Sequence, residues 1–324
     1  MKVAVIGAGA WGTALALQAL RAGGEACLWA RDPGRAEAMA AARRNALHLP
    51  GTPLPPELHV TADAGAALSG AGLAVLAVPT QYLAAVLEGL PALPPAILVA
   101  KGVEAGTLRF PLEILAEARP DTPAALLSGP NFAHEVAEGL PAAAVLASTD
   151  AGLREAAMAR LASPGFRLYA GVDPVGVEVA GAAKNVAAIA AGAAIGAGLG
   201  ENARAAIVTR ALAEIARLAI ALGGRADTVA GLSGLGDLML TCAGAASRNF
   251  SLGLAIGRGE RAADVLASRS SVTEGAATAP ALLARAARAG VEMPVCAAVA
   301  AVLDSSLSVR EAVGQLMARP PREE

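Results

Sequence analysis

Lysine is nearly missing from this 324-residue chain. Lys2, Lys101 and Lys184 are the only three, and arginine supplies the rest of the 26 basic residues. Aromatic residues amount to 2%, and cysteine and histidine occur three times each. Each scarcity excludes something. Cys27, Cys242 and Cys296 are too few and too scattered for a disulfide framework and form no CxxC pair, so the chain reads as cytoplasmic. His48, His59 and His134 lack metal-ligand spacing, and no metal site is expected. A formal net charge of -2 provides no global basic field, so nucleic acid is not an expected partner. With so few aromatics, the cores must be built from Ala, Val, Leu and Ile.

Charge is also absent from Val3 to Leu20, a run long enough to imitate a membrane span or a signal sequence. Gly7, Gly9 and Gly12 break the helix that either would need, while Val3–Ile6 is short and β-branched, as a buried strand is. No integral membrane segment is expected elsewhere, because Lys184 or Arg210 interrupts the long apolar runs.

Short apolar runs at 3–6, 26–30, 73–78, 96–100, 124–128 and 142–147 alternate with Ala-rich stretches, the pattern of a mostly parallel sheet covered by helices. Proline-rich Leu49–Pro56 marks surface loops. Beyond Asp173 the texture becomes helical, with long runs of helix formers over 178–194 and 202–222. The expectation is an α/β chain: a Rossmann-type, doubly wound domain over 1–177, then an all-α domain over 178–324.

Gly7-Ala8-Gly9-Ala10-Trp11-Gly12 is a GxGxxG that directly follows a strand and directly precedes a helical stretch. The first glycine permits the tight turn, the second admits a pyrophosphate, and the third allows helix and strand to pack, with the helix N-terminus facing the phosphates. At the end of the second strand stands Arg31, where an acidic residue usually takes the ribose hydroxyls of NAD. NADP(H) is therefore the preferred cofactor and NAD(H) a possible one, while Asp32 is a candidate helix cap.

The rarity of lysine makes the survivors informative. An exposed charge can be Arg or Lys, but a proton donor whose pKa is lowered by burial has to be Lys, since Arg stays charged. Lys101 follows a strand at its carboxyl end, and Lys184 lies among small residues in Gly181-Ala182-Ala183-Lys184-Asn185. Asp237, in Gly234-Leu235-Gly236-Asp237-Leu238, and Ser247-Arg248-Asn249 are polar patches in an aliphatic domain. Read alone, Asp237 is equally a helix cap and Arg248 a surface charge. Read together, they suit a phosphate and carbonyl site.

These segments, with Ser128-Gly129-Pro130-Asn131-Phe132-Ala133 and Val272-Thr273-Glu274-Gly275, resemble in order and over nearly the whole chain the bacterial NAD(P)-dependent sn-glycerol-3-phosphate dehydrogenases. The resemblance implies reversible reduction of dihydroxyacetone phosphate to sn-glycerol 3-phosphate for glycerophospholipid synthesis, by a homodimer. It implies that Lys184 is the general acid/base, with Asn185 and Asp237 beside it. Lys101, Gly129, Asn131, Ser247, Arg248 and Asn249 fall at substrate positions, together with Lys184 and Asp237. Ala10, Trp11, Arg31, Lys101, Ala133, Arg248, Val272 and Glu274 join the three loop glycines at cofactor positions. Asn131 departs from the family, many members of which carry Thr or Ser there.

Two other readings compete. A β-hydroxyacid or 6-phosphogluconate-type dehydrogenase also joins such a domain to a helical one with a catalytic Lys, but places Asn four residues after it, where this chain has Ala188. A non-catalytic NAD(P)H sensor would need the glycine loop but not Lys184, Asp237 and Arg248 as a set.

Overall fold

The computed structural model describes residues 1–269 and 272–320. The chain divides into two compact units, Met1–Ala100 with Arg109–Val177, and Lys101–Leu108 with Glu178–Glu324. The short segment Lys101–Leu108 thus belongs with the second unit, although its position in the chain puts it within the 1–177 expected for the first.

The first unit holds ten strands among the described residues: β1 (Lys2–Ile6), β2 (Glu25–Trp29), β3 (Arg44–Asn45), β4 (Leu49–Pro53), β5 (His59–Thr61), β6 (Ala71–Leu76), β7 (Ala96–Leu98), β8 (Ala124–Ser128), β9 (Ala142–Ala147) and β10 (Phe166–Gly171). Eight form one sheet in the order β10-β9-β8-β7-β6-β1-β2-β5. Its neighbours are parallel except β8 and β9, which run antiparallel. The strand order reverses at β1, so the loop after β1 lies at the switch point where open α/β sheets bind ligands.

The central strands are continuous apolar runs because both faces are covered. Side chains of successive residues go to opposite faces. Val3, Val5, Leu28, Leu73, Val75 and Ile97 join one core, whereas Ala4, Ile6, Ala74, Leu76 and Leu98 join the other. Leu49–Pro53, expected as loop, is instead β4, paired antiparallel with β3. Two prolines are tolerated there because a two-stranded ribbon has a free edge on each strand, and Leu49, Thr52 and Leu54 are buried beneath it. Strands β5 and β10 carry weak signals: the first has three residues, and the second buries only alternate side chains at the sheet margin.

The second unit is helical. Its long helix Pro174–Gly196, most of which lies in this unit, is apolar enough to cross a membrane, but 83% of its apolar window is buried inside the protein. Hydrophobicity all round is what such burial demands. This helix meets helix Arg248–Gly257 at backbone distance through two glycine pairs. A Cβ on Gly192 would lie 2.0 Å from the Phe250 carbonyl oxygen, and one on Gly253 would lie 2.0 Å from that of Ile189. Gly196 and Gly257 repeat the contact one turn later. Any larger residue would force the helices apart.

A buried carboxylate joins two more helices. Glu214, on helix Gly200–Ala221 and 2% exposed, accepts N–H bonds from Val295 (2.8 Å) and Cys296 (3.4 Å) in the first turn of helix Pro294–Leu303. Burial raises its pKa from 4.5 to about 7, against the lowering effect of those N–H bonds and of Arg217 and Arg319. A raised acid is bound more tightly to its proton in the folded state, so its stabilisation is present at low pH and is lost between about 4.5 and 7. Glu214→Gln, which cannot ionise, is predicted to gain on the wild type by up to about 3 kcal/mol as pH rises from 5 to 8. Urea unfolding at both pH values tests this, and a stability difference independent of pH would contradict it.

Candidate active site

The glycine-loop candidates follow β1 directly. Gly7 takes φ +116°, and a Cβ there would lie 2.4 Å from the Ala77 carbonyl oxygen. A Cβ on Gly12 would strike the Gly7 oxygen, so the third glycine permits the helix to fold back on the loop. A Cβ placed on Gly9 would meet nothing within 4 Å among the described residues, so this side of the backbone is approachable. Gly9 is the N-cap of helix Ala10–Arg21 and contributes no side-chain cap, so the N–H groups of Ala10, Trp11 and Gly12 precede the first helical bond, Thr13 N–H to Gly9 oxygen. Donors with open space before them fit a dinucleotide pyrophosphate.

The loop is braced by a residue that the motif does not include. Asn45, 1% exposed, donates to the Ala8 oxygen at 3.0 Å and to Thr13 Oγ1 at 2.8 Å. Thr13 Oγ1 in turn donates to the Gly9 oxygen. Arg31 is exposed beyond β2, and Asp32 caps helix Pro33–Ala42 by accepting the Arg35 N–H at 2.7 Å. After β8, Gly129 takes φ +155° against Ala143 and Ala144. Both carboxamide atoms of Asn131 are buried without a hydrogen-bond partner among the described residues, so the side chain retains full capacity for a polar ligand. Ala133 opens helix Ala133–Glu138 and packs on the sheet core.

In the second unit, Lys101, Lys184, Asn185, Asp237 and Asn249 converge. Asp237 is 1% exposed, and each of its carboxylate oxygens takes one ammonium: Oδ2 that of Lys101 at 2.6 Å, Oδ1 that of Lys184 at 2.5 Å. It is the first residue of helix Asp237–Cys242, following the π-helical turn Leu232–Gly236, and so is not an N-cap. Burial opposes its ionisation, but the two lysines outweigh burial and hold its pKa below the usual value. Lys184 also donates to Thr241 Oγ1 at 2.9 Å, and Thr241 donates to the Asp237 carbonyl oxygen. Burial lowers the Lys184 pKa to about 8; Asp237 resists that shift and Lys101 adds to it.

Around this trio runs a chain of amides. Asn185 donates to the Lys101 carbonyl oxygen at 3.0 Å and accepts from Asn249 Nδ2 at 2.9 Å. Asn249 Oδ1 accepts the Gly275 N–H at 3.1 Å. A Cβ on Gly275 would lie 2.6 Å from that oxygen, so glycine is required there. With both carboxamide atoms bonded inside the protein, Asn249 offers an anion chiefly its backbone N–H, in the first turn of helix Arg248–Gly257. Ser247 caps this helix by accepting the Phe250 N–H, which leaves its own O–H free to donate, and Arg248 projects from the first turn, exposed. Val272 is exposed, and Glu274 begins helix Glu274–Arg288.

Three contributors had no signal of their own in the motifs. Thr241 lies four residues after Asp237 on one helix, a spacing that would have exposed it. Arg269 donates to the Arg248 carbonyl oxygen at 2.6 Å and to Ser251, and nothing local marks it. Asn45 is the third.

Residues 2–154 match the family model for the N-terminus of NAD-dependent glycerol-3-phosphate dehydrogenase, and residues 173–314 match the model for its C-terminus. The chain is 50% identical to glycerol-3-phosphate dehydrogenase (NAD(P)+) of Rhodospirillum rubrum, covering 99% of this chain and 93% of that one. It is 49% identical to the protein of that description from Aromatoleum aromaticum, over 100% of both. Among solved structures, a glycerol-3-phosphate dehydrogenase from Coxiella burnetii superposes with a TM-score of 0.94 at 36% identity, covering 98% of this chain and 99% of that chain.

Removing the charge of Asp237 leaves two buried or half-buried ammonium groups without their anion. Asp237→Asn is predicted to cost about 3 kcal/mol at pH 7. The pKa of Lys184 falls further in this variant, so the cost is greatest below that pKa and shrinks as pH rises and the amine neutralises. Urea unfolding at pH 7 and 9.5 tests this; an equal deficit at both would contradict it.

Proposed function

The chain belongs to the NAD-dependent glycerol-3-phosphate dehydrogenase family, and from that premise we propose that it catalyses the reversible, NAD(P)H-dependent reduction of dihydroxyacetone phosphate to sn-glycerol 3-phosphate. The observation that carries this reading is the buried Lys101–Asp237–Lys184 trio, which gives a helical unit one ammonium poised to release its proton near neutral pH.

The first unit holds the dinucleotide by its pyrophosphate at Gly7–Gly12, and the nicotinamide, when bound, supplies the hydride. Ser247, Arg248 and the N-terminus of helix Arg248–Gly257 take the substrate phosphate, a remote anchor that fixes the carbonyl for attack. Lys184 hydrogen-bonds the C2 oxygen and transfers a proton to it as hydride arrives at C2; in the oxidative direction the neutral amine takes that proton back. Asp237 and Thr241 aim the ammonium. Lys101 remains a fixed positive charge beside the developing alkoxide. Asn185 positions Lys101 through its carbonyl and ties it to Asn249. Asn131 offers a carboxamide to the substrate. The trio and its amide chain form a charged, fully bonded arrangement that a non-catalytic sensor would not require.

We propose also that the protein works as a cytoplasmic homodimer; three buried free thiols suit a reducing compartment.

The decrease in absorbance at 340 nm with dihydroxyacetone phosphate and NADPH or NADH tests the activity, and cofactor binding without substrate-dependent oxidation would contradict it. Lys184→Ala is predicted to bind cofactor and lose about 10²- to 10⁴-fold in turnover. For the wild type, kcat/KM for reduction falls as pH rises through about 8, whereas that for oxidation rises through the same value. Parallel profiles in the two directions would remove Lys184 from proton transfer.

A further inference from the structure

The dinucleotide site contains a second guanidinium beside the one expected at Arg31. Arg35 lies in the first turn of helix Pro33–Ala42, and its Nη2 donates to the Ala8 carbonyl oxygen inside the glycine loop. The same nitrogen reaches Asn45 Oδ1 at 3.4 Å. Its Nε is buried and, among the described residues, has no hydrogen-bond partner. Asp32, three residues earlier, spends one oxygen on capping the helix through the Arg35 backbone N–H. Burial lowers the Arg35 pKa, and Asp32 offsets this only in part. The result is a guanidinium held in place, partly stripped of water and short of counter-charge.

In a βαβ unit of this kind the adenosine ribose lies between the glycine loop and the end of the second strand. Arg35 is tied to that loop at Ala8 and stands in the turn just after that strand. We propose that Arg35 acts with Arg31 as a two-guanidinium reader of the adenosine 2′-phosphate, and that this pair sets a preference for NADPH over NADH. The proposal rests on the dehydrogenase reading and specifies its cofactor. A phosphate monoester carries about -1.5 to -2 charges near neutral pH and accepts the fork of a guanidinium in bidentate fashion. Arg35 loses little freedom on binding, because its bond to Ala8 already orders it. The neutral ribose diol of NADH gains nothing from either cation, and the acidic residue at this strand end is engaged in capping its helix.

The experiment is a titration of wild type, Arg31→Ala, Arg35→Ala and Arg35→Gln with NADPH and with NADH, read by the fluorescence of the bound dinucleotide, with melting temperature recorded for each protein. Arg35→Gln keeps an amide donor for the Ala8 oxygen while removing the charge, which separates phosphate recognition from bracing of the loop. The expected result is a Kd for NADPH raised about tenfold or more in every variant, with that for NADH within about twofold of wild type in Arg31→Ala and Arg35→Gln, which keep the loop braced. Equal weakening of both dinucleotides in Arg35→Gln would assign Arg35 to the loop alone and overturn the proposal, as would an unchanged Kd for NADPH. Wild-type protein that bound neither dinucleotide would overturn the dehydrogenase reading together with it.

Discussion

One buried carboxylate organises the second unit. Asp237 is surrounded by protein, and its charge survives only because Lys101 and Lys184 each take one of its oxygens. The dependence is mutual: Lys184 is buried, and without Asp237 that burial would drive its pKa lower still. Two cations on one anion leave the group with a net positive charge, which suits a site for a phosphate-bearing substrate whose carbonyl oxygen gains negative charge during reduction. Burial, with a smaller push from the Lys101 charge, brings Lys184 close to losing its proton while Asp237 restrains it, so the enclosure of the trio also prepares its chemistry.

The surroundings serve that arrangement through close backbone contact. Gly192 and Gly196 on one helix meet Gly253 and Gly257 on the other, and the approach they allow sets Asn185 beside Asn249. From there the amide chain reaches Lys101 on one side and Gly275 on the other. In the first unit the parallel case is Asn45, a single buried carboxamide that joins Ala8 to Thr13 across the glycine loop. Buried amides with both ends bonded fix geometry because any displacement leaves a polar group unpaired at a cost of about 1–3 kcal/mol.

Much of this was legible in the sequence because local pattern and tertiary demand coincide. The strand–glycine–helix unit at 3–21 reads directly, since each glycine answers a local steric need. The rarity of lysine singled out Lys101 and Lys184, and the structure brings both to Asp237. The rest depends on long-range contacts. Asn45 lies 32 residues from the Thr13 it holds. Lys101–Leu108 belongs with a unit whose main body starts at Glu178, and no local signal in composition marks that switch. Strand β4 hides behind its prolines, which normally announce a loop. The likeness of Asp237 to a helix cap arises because a π-helical turn leads straight into its helix, a feature without a periodic signature.

The most direct test of the central claim is a titration of the lysine Nζ or Cε resonances in isotope-labelled protein, practical because the chain has only Lys2, Lys101 and Lys184. One signal, identified by its loss in Lys184→Arg, should titrate at about 8 and move to lower pH in Asp237→Asn. A Lys184 signal that titrates only near the ordinary lysine value of about 10, or that is indifferent to Asp237, would contradict the account.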